Sequence, residues 1–384
     1  MRKVCVVITA RASYSRVKTV LIHLARRDDV ELQIVVAASA LADRAGRVSD
    51  VIKRDGFVVS EEVSSLVEGD TSLQMVQTTG LGLIEIGSVF KRRKPDVVVT
   101  IADRYETIAT AIAASYLRIP LAHIQGGEVT GNIDEKVRHA ITKLADLHLV
   151  STSKSMHNVI SMGEDPQRVF LTECPSIDIA KNIEHRRPLD FSPFEKYGGV
   201  GVQIDLSGKY LVVMQHPVTS ETELARSHAA HTLSVISKLD IPTMWFWPNV
   251  DAGSDGTSRE IRRFREIKNA SKIHFFKNMS PEDFLVLINN CSSLIGNSSV
   301  GIRESSFLGV PVVNIGTRQL GREFAENVKH CGHGTDELED AIRRQMDHGR
   351  YKQSWLYGSG NAGLLISQVL ATADLTTDKK LNFQ

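Results

Sequence analysis

Short apolar runs alternate with amphipathic stretches along most of the chain. Runs rich in valine and isoleucine occupy residues 3–9, 31–38 and 96–101, and stretches with helical periodicity lie between and after them. Such β-branched runs are typical of strands that are buried on both faces of a parallel sheet. Strands that alternate with helices at this spacing predict an α/β fold with a doubly wound sheet.

The pattern lapses once, near residues 182–208, where prolines and the pair Gly198-Gly199 interrupt regular structure. Periodicity then resumes, and the last clear strand is predicted at 310–315. A chain of 384 residues also exceeds what one hydrophobic core usually supports. We therefore expect two Rossmann-like domains, over residues 1–183 and 205–356, joined by a linker over residues 184–204.

Composition and charge limit the classes of function that the protein can have. A net charge of +1 gives no overall attraction to nucleic acid or to a membrane surface, so any anion site must be local. No stretch reaches the roughly 18 consecutive apolar residues of a membrane helix. The four cysteines lack CxxC or Cys/His metal spacing, which favours a reduced, cytoplasmic chain over a disulfide framework or a zinc site. The apolar run at the N-terminus ends at Arg11 and predicts a strand rather than a signal peptide.

The densest polar chemistry lies between His123 and Lys143. An apolar run leads into Gly126-Gly127 and Glu128, and Asp134 then opens a predicted helix, where its carboxylate suits the N-cap. This order places reactive groups at the carboxyl end of a parallel strand.

Two pairs in the same helix, Glu135 with His139 and Asp134 with Arg138, are four residues apart and should share a face. The alternative interpretation of this segment is a capped helix with solvated charges.

A second candidate site lies at Gly296-Asn297-Ser298-Ser299, between a predicted strand and a helix. Helix N-terminal N–H groups favour phosphate, and the serine hydroxyls add donors. Glu304 lies about one turn further into the helix, where its carboxylate could accept the hydroxyls of a ribose. The alternatives are an ordinary capped helix and a solvated or salt-bridged acid.

Further polar residues follow other strands. Arg11 lies in the first strand-to-helix turn and is a candidate phosphate contact, and Asp103-Arg104 repeats this arrangement after the third strand. His216 follows a strand and precedes a proline, and Asn249 could contact a base edge. A surface arginine and a structural histidine are the alternatives. Together these residues predict a nucleotide-bound substrate in a cleft between the domains, but they leave the reaction open.

Several longer motifs of the chain resemble those of a known enzyme family. The chain resembles the hydrolysing UDP-N-acetylglucosamine (UDP-GlcNAc) 2-epimerases, both the bacterial sialic-acid-pathway enzymes and the epimerase half of the human bifunctional epimerase/kinase. The similarity extends from Arg11 to Gly358. Its most specific segments are GGEVTGNIDEKVRHAITKLA (126–145), QHPVT (215–219), PNVDAGS (248–254), IGNSSVGIRE (295–304) and NIGTRQLGRE (314–323).

The resemblance implies the GT-B fold, with the C-terminal helix, about residues 360–375, crossing back onto the first domain. It implies elimination of UDP across C1–C2 to give a 2-acetamidoglucal, followed by addition of water to give N-acetylmannosamine. It implies no redox cofactor, no essential metal and a homodimer or homotetramer.

Site residues follow by motif. The catalytic candidates are Asp103, Asp134, Glu128, Gln125 and His216. The candidates for binding UDP and the sugar are Arg11, Ser15, Arg104, His139, His216, Asn249, Ser298, Ser299, Glu304 and Arg318.

The chain departs from the family pattern at two positions. Members often have glutamate where this chain has Gln125, and glycine where it has Ala102. Glutamine cannot accept a proton as a base, so Asp134, Glu128 or Asp103 would do this work, or the substrate differs. The close alternative substrate is UDP-2,4-diacetamido-2,4,6-trideoxyglucose, of legionaminic acid synthesis. More remote alternatives are a non-hydrolysing epimerase, a GT-B glycosyltransferase and an inactive UDP-sugar binding protein.

Overall fold

Two compact units make up the chain in the computed structural model. The structure describes residues 1–42, 47–69, 71–101, 104–130, 133–183, 189–218, 220–248, 253–267 and 272–382. Unit 1 comprises Met1–Val129, Ile133–Asp178 and Tyr357–Gln384, and unit 2 comprises Thr130–Asn132 and Ile179–Leu356.

Unit 1 is built on a sheet of seven parallel strands in the order β3-β2-β1-β4-β5-β6-β7. The strands are β1 (Arg2–Ile8), β2 (Val30–Ala37), β3 (Glu61–Val63), β4 (Val97–Ile101), β5 (Leu121–Ile124), β6 (Leu147–Val150) and β7 (Val169–Leu171). The helices that follow them are α1 (Arg11–Ala25), α2 (Val48–Arg54), α3 (Ser72–Arg93), α4 (Thr107–Tyr116), α5 (Ile133–Leu144), α6 (Ser153–Ser161) and α7 (Pro175–Ile183). The strand order reverses between β1 and β4, which is where such sheets bind ligands.

The first strand is apolar from Val4 to Ile8, where it is buried on both faces. Val4, Val6 and Ile8 pack into a core on one face of the sheet, whereas Cys5 and Val7 pack into a second core on the other face. Successive side chains of a strand point to opposite faces. A strand covered by helices on both sides is therefore predominantly apolar.

Unit 2 repeats the design, with the strand order β14-β13-β12-β9-β10-β11-β8. The strands are β8 (Val200–Gly201), β9 (Leu211–Met214), β10 (Thr243–Phe246), β11 (Ile273–Phe276), β12 (Ser293–Gly296), β13 (Val312–Ile315) and β14 (Val328–Cys331). The helices are α8 (Pro193–Tyr197), α9 (Ala225–Leu239), α10 (Ser254–Ile267), α11 (Pro281–Asn290), α12 (Ser299–Ile302), α13 (Glu304–Leu308) and α14 (Thr335–His348). Only β8 is antiparallel to its neighbour. Two doubly wound α/β sheets confirm the predicted fold class.

The chain then returns to unit 1 through α15 (Ala362–Thr372), which packs against α1. The Asp178 carboxylate accepts hydrogen bonds from the backbone N–H groups of Ala362 (2.9 Å) and Gly363 (2.7 Å). These bonds satisfy N–H groups that have no partner within the helix. The N-terminus of α15 is thereby attached to unit 1.

Part of the predicted linker is regular structure. Residues 193–201 contain α8 and the edge strand β8. The Phe194 ring packs edge-on against His274 at 4.8 Å between centroids, and the Tyr197 hydroxyl donates a hydrogen bond to Asp283 at 2.5 Å. The prediction of an irregular linker is wrong for this segment, because its glycines and proline mark short elements rather than an unstructured chain.

The strands that the sequence pattern did not predict are short or lie at sheet edges. Edge strands β3 and β14 carry polar residues, such as Glu62 and the exposed Lys329, because an edge strand is less completely covered than a central one. The sequence pattern predicts the last strand at 310–315. Among the described residues, a further strand, β14, follows it. In the described part of the chain, no helix combines the length and apolar character needed to cross a membrane.

Candidate active site

Two arginines lie at the point where the strand order of unit 1 reverses. Arg11 is the first residue of α1, directly after β1, and Arg104 follows β4. The Arg104 Nε atom lies 3.2 Å from the carboxylate of Glu106, which is 2% exposed and accepts a hydrogen bond from the Ser39 hydroxyl at 2.7 Å. A buried carboxylate thus orients Arg104. Asp103, the neighbouring catalytic candidate, lies outside the described residues.

Gln125 follows β5 with a left-handed backbone, at φ 65°. Its Nε2 donates a hydrogen bond to the Cys174 sulfur at 3.1 Å. Its Oε1 is buried without a hydrogen-bond partner among the described residues. Left-handed backbone in a non-glycine residue is uncommon and concentrates at functional sites. Gln125 is therefore a fixed, buried amide whose carbonyl oxygen can still accept a hydrogen bond.

The adjoining glycine pair brings two segments close together. Gly127 has φ +77°, and a Cβ atom there would lie 2.3 Å from the carbonyl oxygen of Ser155. The Gly127 carbonyl in turn accepts a hydrogen bond from Asn158 at 2.8 Å. A side chain at position 127 would push α6 away, so the glycine is required by packing as well as by backbone conformation.

Glu128 is held from the helix that follows it. Its side chain is 5% exposed, and its backbone carbonyl accepts a hydrogen bond from the Arg138 guanidinium at 2.7 Å. Arg138 is 1% exposed, so the alternative of a helix with solvated charges is wrong for this residue. Burying a guanidinium is costly unless it is hydrogen-bonded, and here it fixes the turn that carries Glu128.

Asp134 is the second residue of α5, half-buried in its first turn. The prediction that Asp134 is the N-cap is therefore wrong by two positions, and the N-cap itself lies outside the described residues. His139 lies 3.3 Å from Glu135, between ring Nε2 and carboxylate Oε1, which confirms that this pair shares a helix face. An acid in the first turn still interacts favourably with the helix dipole.

In unit 2, Asn297 connects the residues that follow β9, β12 and β13. Its side chain accepts a hydrogen bond from the His216 N–H at 2.7 Å and donates one to the His216 carbonyl at 2.8 Å. Its backbone carbonyl accepts hydrogen bonds from Arg318 at 3.1 Å and from Gln319 at 2.9 Å. β9 and β12 are the strands between which the order of this sheet reverses. The structure thus brings His216 and Arg318 to one buried asparagine.

The serine turn differs from the prediction in one respect. Ser298 is the N-cap of α12, and the half-buried Ser299 is its first residue. α12 is only 4 residues long, so its dipole is weaker than that of the single helix, continuing past Glu304, that the sequence predicts. Phosphate would be bound here by serine hydroxyls, backbone N–H groups and Arg318 rather than by a helix dipole.

Glu304 begins the next helix, α13, instead of lying inside the first. The residue is half-buried, and its Oε2 is buried without a hydrogen-bond partner among the described residues. A buried carboxylate oxygen in this state can accept a ligand hydroxyl, which offsets the cost of its burial.

The other predicted positions are Ser15, which is half-buried in α1, and Asn249, which lies outside the described residues. The sequence interpretation missed Glu106, Cys174 and Gln319, which hold Arg104, Gln125 and Asn297 in place. Glu106 is two residues from Arg104 and could have been found from that spacing. Cys174 could not, because only the fold brings it to β5.

Comparison with known proteins identifies the family to which the chain is similar. The family model described as UDP-N-acetylglucosamine 2-epimerase matches residues 22–371. The chain is 30% identical to the UDP-N,N'-diacetylbacillosamine 2-epimerase (hydrolyzing) of Legionella pneumophila, over 98% of this chain and 97% of that protein. It is 26% identical to the UDP-N-acetylglucosamine 2-epimerase of Neisseria meningitidis, over 94% of this chain and 92% of that protein.

A solved structure shows the same fold. The crystal structure of Methanocaldococcus jannaschii UDP-GlcNAc 2-epimerase in complex with UDP-GlcNAc and UDP superposes with a TM-score of 0.79 at 17% identity. The superposition covers 96% of this chain and 99% of that one. The two seven-stranded sheets therefore have the GT-B-like architecture of that enzyme.

Proposed function

Because the chain belongs to the UDP-N-acetylglucosamine 2-epimerase family, we propose that it is a hydrolysing 2-epimerase, which converts UDP-GlcNAc and water into UDP and N-acetylmannosamine. The observation that supports the hydrolysing reaction best is the 30% identity to the Legionella hydrolyzing enzyme over 98% of this chain. The product would serve the synthesis of sialic-acid-type sugars.

In this proposal the residues of unit 2 hold UDP. Arg318, fixed by its bond to Asn297, pairs with the phosphates, since a guanidinium matches phosphate oxygens bidentately. Ser298, Ser299 and His216 add donors, and the free Oε2 of Glu304 accepts the ribose hydroxyls. The UDP leaving group gains negative charge as the bond breaks, so these donors stabilise the transition state more than the substrate. Arg11, Ser15, Arg104 and Asn249 complete the proposed contacts.

The acids of unit 1 would act on the sugar. The C1–O bond to UDP breaks while a base removes the proton at C2, and the C2–H electron pair becomes the C1=C2 double bond of the glucal. Water then adds its oxygen to C1, and a proton returns to C2 on the opposite face. We assign proton transfer to Asp134, and stabilisation of the cationic transition state to Glu128 and Asp103.

Gln125 would orient the sugar rather than transfer a proton. A neutral amide has no basic site at physiological pH, and its Nε2 is already bonded to Cys174. The buried Oε1 remains able to accept one hydrogen bond, for which the N–H of the acetamido group is a suitable donor.

A second substrate is supported by one observation. The Legionella relative is named for UDP-N,N'-diacetylbacillosamine, which is the UDP-2,4-diacetamido-2,4,6-trideoxyglucose considered above. Gln125 stands at the position where the sequence departs from the pattern of UDP-GlcNAc enzymes. The same elimination and hydration on this substrate would release 2,4-diacetamido-2,4,6-trideoxymannose and UDP.

The deciding experiment is product identification by NMR in D₂O with each nucleotide sugar separately. A hydrolysing epimerase releases UDP and a free sugar with deuterium at C2, because the C2 proton exchanges with solvent. A product that retains UDP would identify a non-hydrolysing epimerase. If neither substrate releases UDP, the proposal is wrong, and kcat/KM on the two sugars decides between them.

A further inference from the structure

A cluster of three side chains in unit 2 lies outside the residues assigned to UDP and to the sugar. Glu221 precedes α9, His228 lies in the first turn of α9, and His333 lies between β14 and α14. All three are half-buried, and one potential metal-binding atom of each lies within 4.8 Å of those of the other two. The loop before α14 thus brings His333 to two residues near the start of α9 that are more than 100 positions earlier in the sequence.

The two histidine rings are stacked face to face. Their centroids are 3.4 Å apart and their planes differ by 5°. Both ring nitrogens of His333 are buried without a hydrogen-bond partner among the described residues. A buried polar atom without a protein partner costs free energy, and binding of a water molecule or an ion removes this cost. The unsatisfied nitrogens therefore point to a ligand.

Glycine makes room for this arrangement. Gly316 has φ +70°, and a Cβ atom there would lie 2.4 Å from Nε2 of His333. Any larger residue at position 316 would displace the imidazole from the cluster. The backbone thus leaves space beside a nitrogen that bonds to no described group.

The two imidazoles are neutral, which favours binding of a metal ion over an ion pair with the carboxylate. Burial, with a smaller contribution from the neighbouring His228, lowers the pKa of His333 to about 4. Burial also lowers the pKa of His228. Neutral imidazoles each keep a nitrogen lone pair, which is the form that binds metal ions.

Glu221 supplies the third ligand, and a hydrogen bond fixes the orientation of its carboxylate. The Thr317 hydroxyl donates a hydrogen bond to Glu221 Oε1 at 2.6 Å, which leaves Oε2 for another partner. Ligating carboxylates in metal sites commonly carry such an outer hydrogen bond. Its negative charge would also balance part of the charge of a divalent cation.

We propose that Glu221, His228 and His333 form a binding site for a divalent transition-metal ion of the zinc type. Two imidazoles and one carboxylate are a ligand set that zinc uses when it keeps a fourth position for water. In a tetrahedral site with bonds near 2 Å, ligand atoms lie about 3.4 Å apart. The potential ligand atoms now lie within 4.8 Å of one another, and the two rings are parallel. Binding of an ion therefore requires the imidazoles to rotate out of this stacked arrangement until their in-plane lone pairs converge.

None of these three residues has a role in the proposed reaction. The expectation of no metal rested on cysteine spacing and on the family resemblance, whereas these ligands come from segments that only the fold unites. A bound ion would connect the loop before α9, α9 itself and the loop before α14. It should therefore stabilise unit 2 against unfolding.

The test is Zn²⁺ binding to the full chain, without a histidine tag, by isothermal titration calorimetry and by Co²⁺ absorption spectroscopy. We expect one site in the wild-type protein, a tetrahedral-type Co²⁺ spectrum and a rise in Tm with Zn²⁺. His333→Gln, His228→Gln and Glu221→Gln should each weaken Zn²⁺ binding at least 10-fold, since even loss of an outer-shell partner costs about 10–100-fold.

The matched control is His231→Gln, because His231 is exposed on the same helix and lies outside the cluster. It should bind Zn²⁺ like the wild-type protein. Circular dichroism and Tm, both measured without metal, establish whether each variant is folded. If a histidine variant is not folded, Glu221→Gln provides the test instead. The proposal is overturned if the wild-type protein shows no Zn²⁺ site, or if folded cluster variants bind as tightly as His231→Gln.

Discussion

Asn297 and His216 are joined by two reciprocal hydrogen bonds: the Asn297 side chain accepts from the His216 N–H at 2.7 Å and donates to the His216 carbonyl at 2.8 Å. Asn297 is 1% exposed and His216 is 5% exposed. The amide side chain makes the two hydrogen bonds that the backbone of a neighbouring strand would make. The pairing of β9 with β12 thus continues beyond their ends. The main chain of His216 is thereby fixed where the strand order reverses.

Replacing Asn297 by leucine should destabilise the protein and weaken UDP binding together. Each main-chain group of His216 left buried without a partner costs about 1–3 kcal/mol, so we expect a loss of about 2–5 kcal/mol. Urea unfolding measures the first effect, and calorimetric titration with UDP the second. Unchanged stability would show that the two bonds are replaced by water.

Gly296 offers a test of local backbone strain. It has φ +135°, and a Cβ atom would lie 2.1 Å from the carbonyl oxygen of Met214. Gly296→Ala must therefore move β9 or β12 and should cost at least about 1–3 kcal/mol. Gly80→Ala is the matched control, since Gly80 lies inside α3 with open space around it. That substitution should stabilise the protein by about 0.5–1 kcal/mol. Equal Tm shifts for the two would contradict this interpretation.

The sequence predicts the central strands well because their signal is local. A strand such as β6, covered on both faces, is apolar except for His148, and its predicted bounds of 147–150 agree with the structure. Edge strands β3, β8 and β14 have no such signal, since much of their pairing and burial depends on distant residues.

In the candidate site, too, local features could be predicted and long-range contacts could not. The strand-end positions of Arg11, Arg104 and His216 could be predicted, because each follows an apolar run directly. The contact of Glu106 with Arg104 is also local, since the two residues are two positions apart. The contact of Asn297 with His216 could not be predicted, because it depends on the strand order. The division of the serine segment into α12 and α13 was also hidden, since Arg303 continues an uninterrupted helical pattern yet lies between the two helices.

Asp134→Asn tests the proposed acid/base role. We expect the kcat of UDP release to fall by about 10²–10⁴-fold, the usual contribution of a positioned acid or base. UDP affinity should stay within about 3-fold, because the proposed UDP contacts exclude Asp134. Steady-state kinetics and UDP titration measure the two quantities.

The control for Asp134→Asn is Asp255→Asn, in the first turn of α10 and exposed. It removes an acid from an equivalent helix position without touching the proposed site, so its kcat should be unchanged. A near-normal kcat in Asp134→Asn would remove this residue from the acid/base role.

Gln125→Glu tests whether the environment of this residue is dry. A carboxylate there would lose the Nε2 donor that bonds to Cys174 and would be buried, so burial would raise its pKa. A carboxyl group with a raised folded-state pKa destabilises the protein increasingly as pH rises above its unfolded pKa, about 4.3. We therefore expect Gln125→Glu to be less stable than wild type at pH 8 by about 1–3 kcal/mol, with a smaller difference at pH 5. A difference independent of pH would indicate that water reaches the site.

A buried ionic cluster attaches the C-terminal segment to unit 1. The Glu164 carboxylate accepts hydrogen bonds from Lys143 at 2.5 Å, from His148 at 2.9 Å and from Lys379 at 2.6 Å. Burial raises the pKa of this carboxyl group, but the three donors outweigh burial and lower it to about 2. Burial lowers the pKa of His148 and of Lys379.

Glu164→Gln should therefore cost stability in a pH-dependent way. Because the folded-state pKa lies below the unfolded value, the carboxylate stabilises the protein fully above about pH 5 and progressively less as pH falls toward 2. We expect a loss on the order of 3 kcal/mol at pH 7, and a smaller difference from wild type near pH 3.5, both measured by urea unfolding. Glu85→Gln, an exposed change on α3, should have no effect at either pH. A loss of equal size at both pH values would show that Glu164 acts through packing instead of charge.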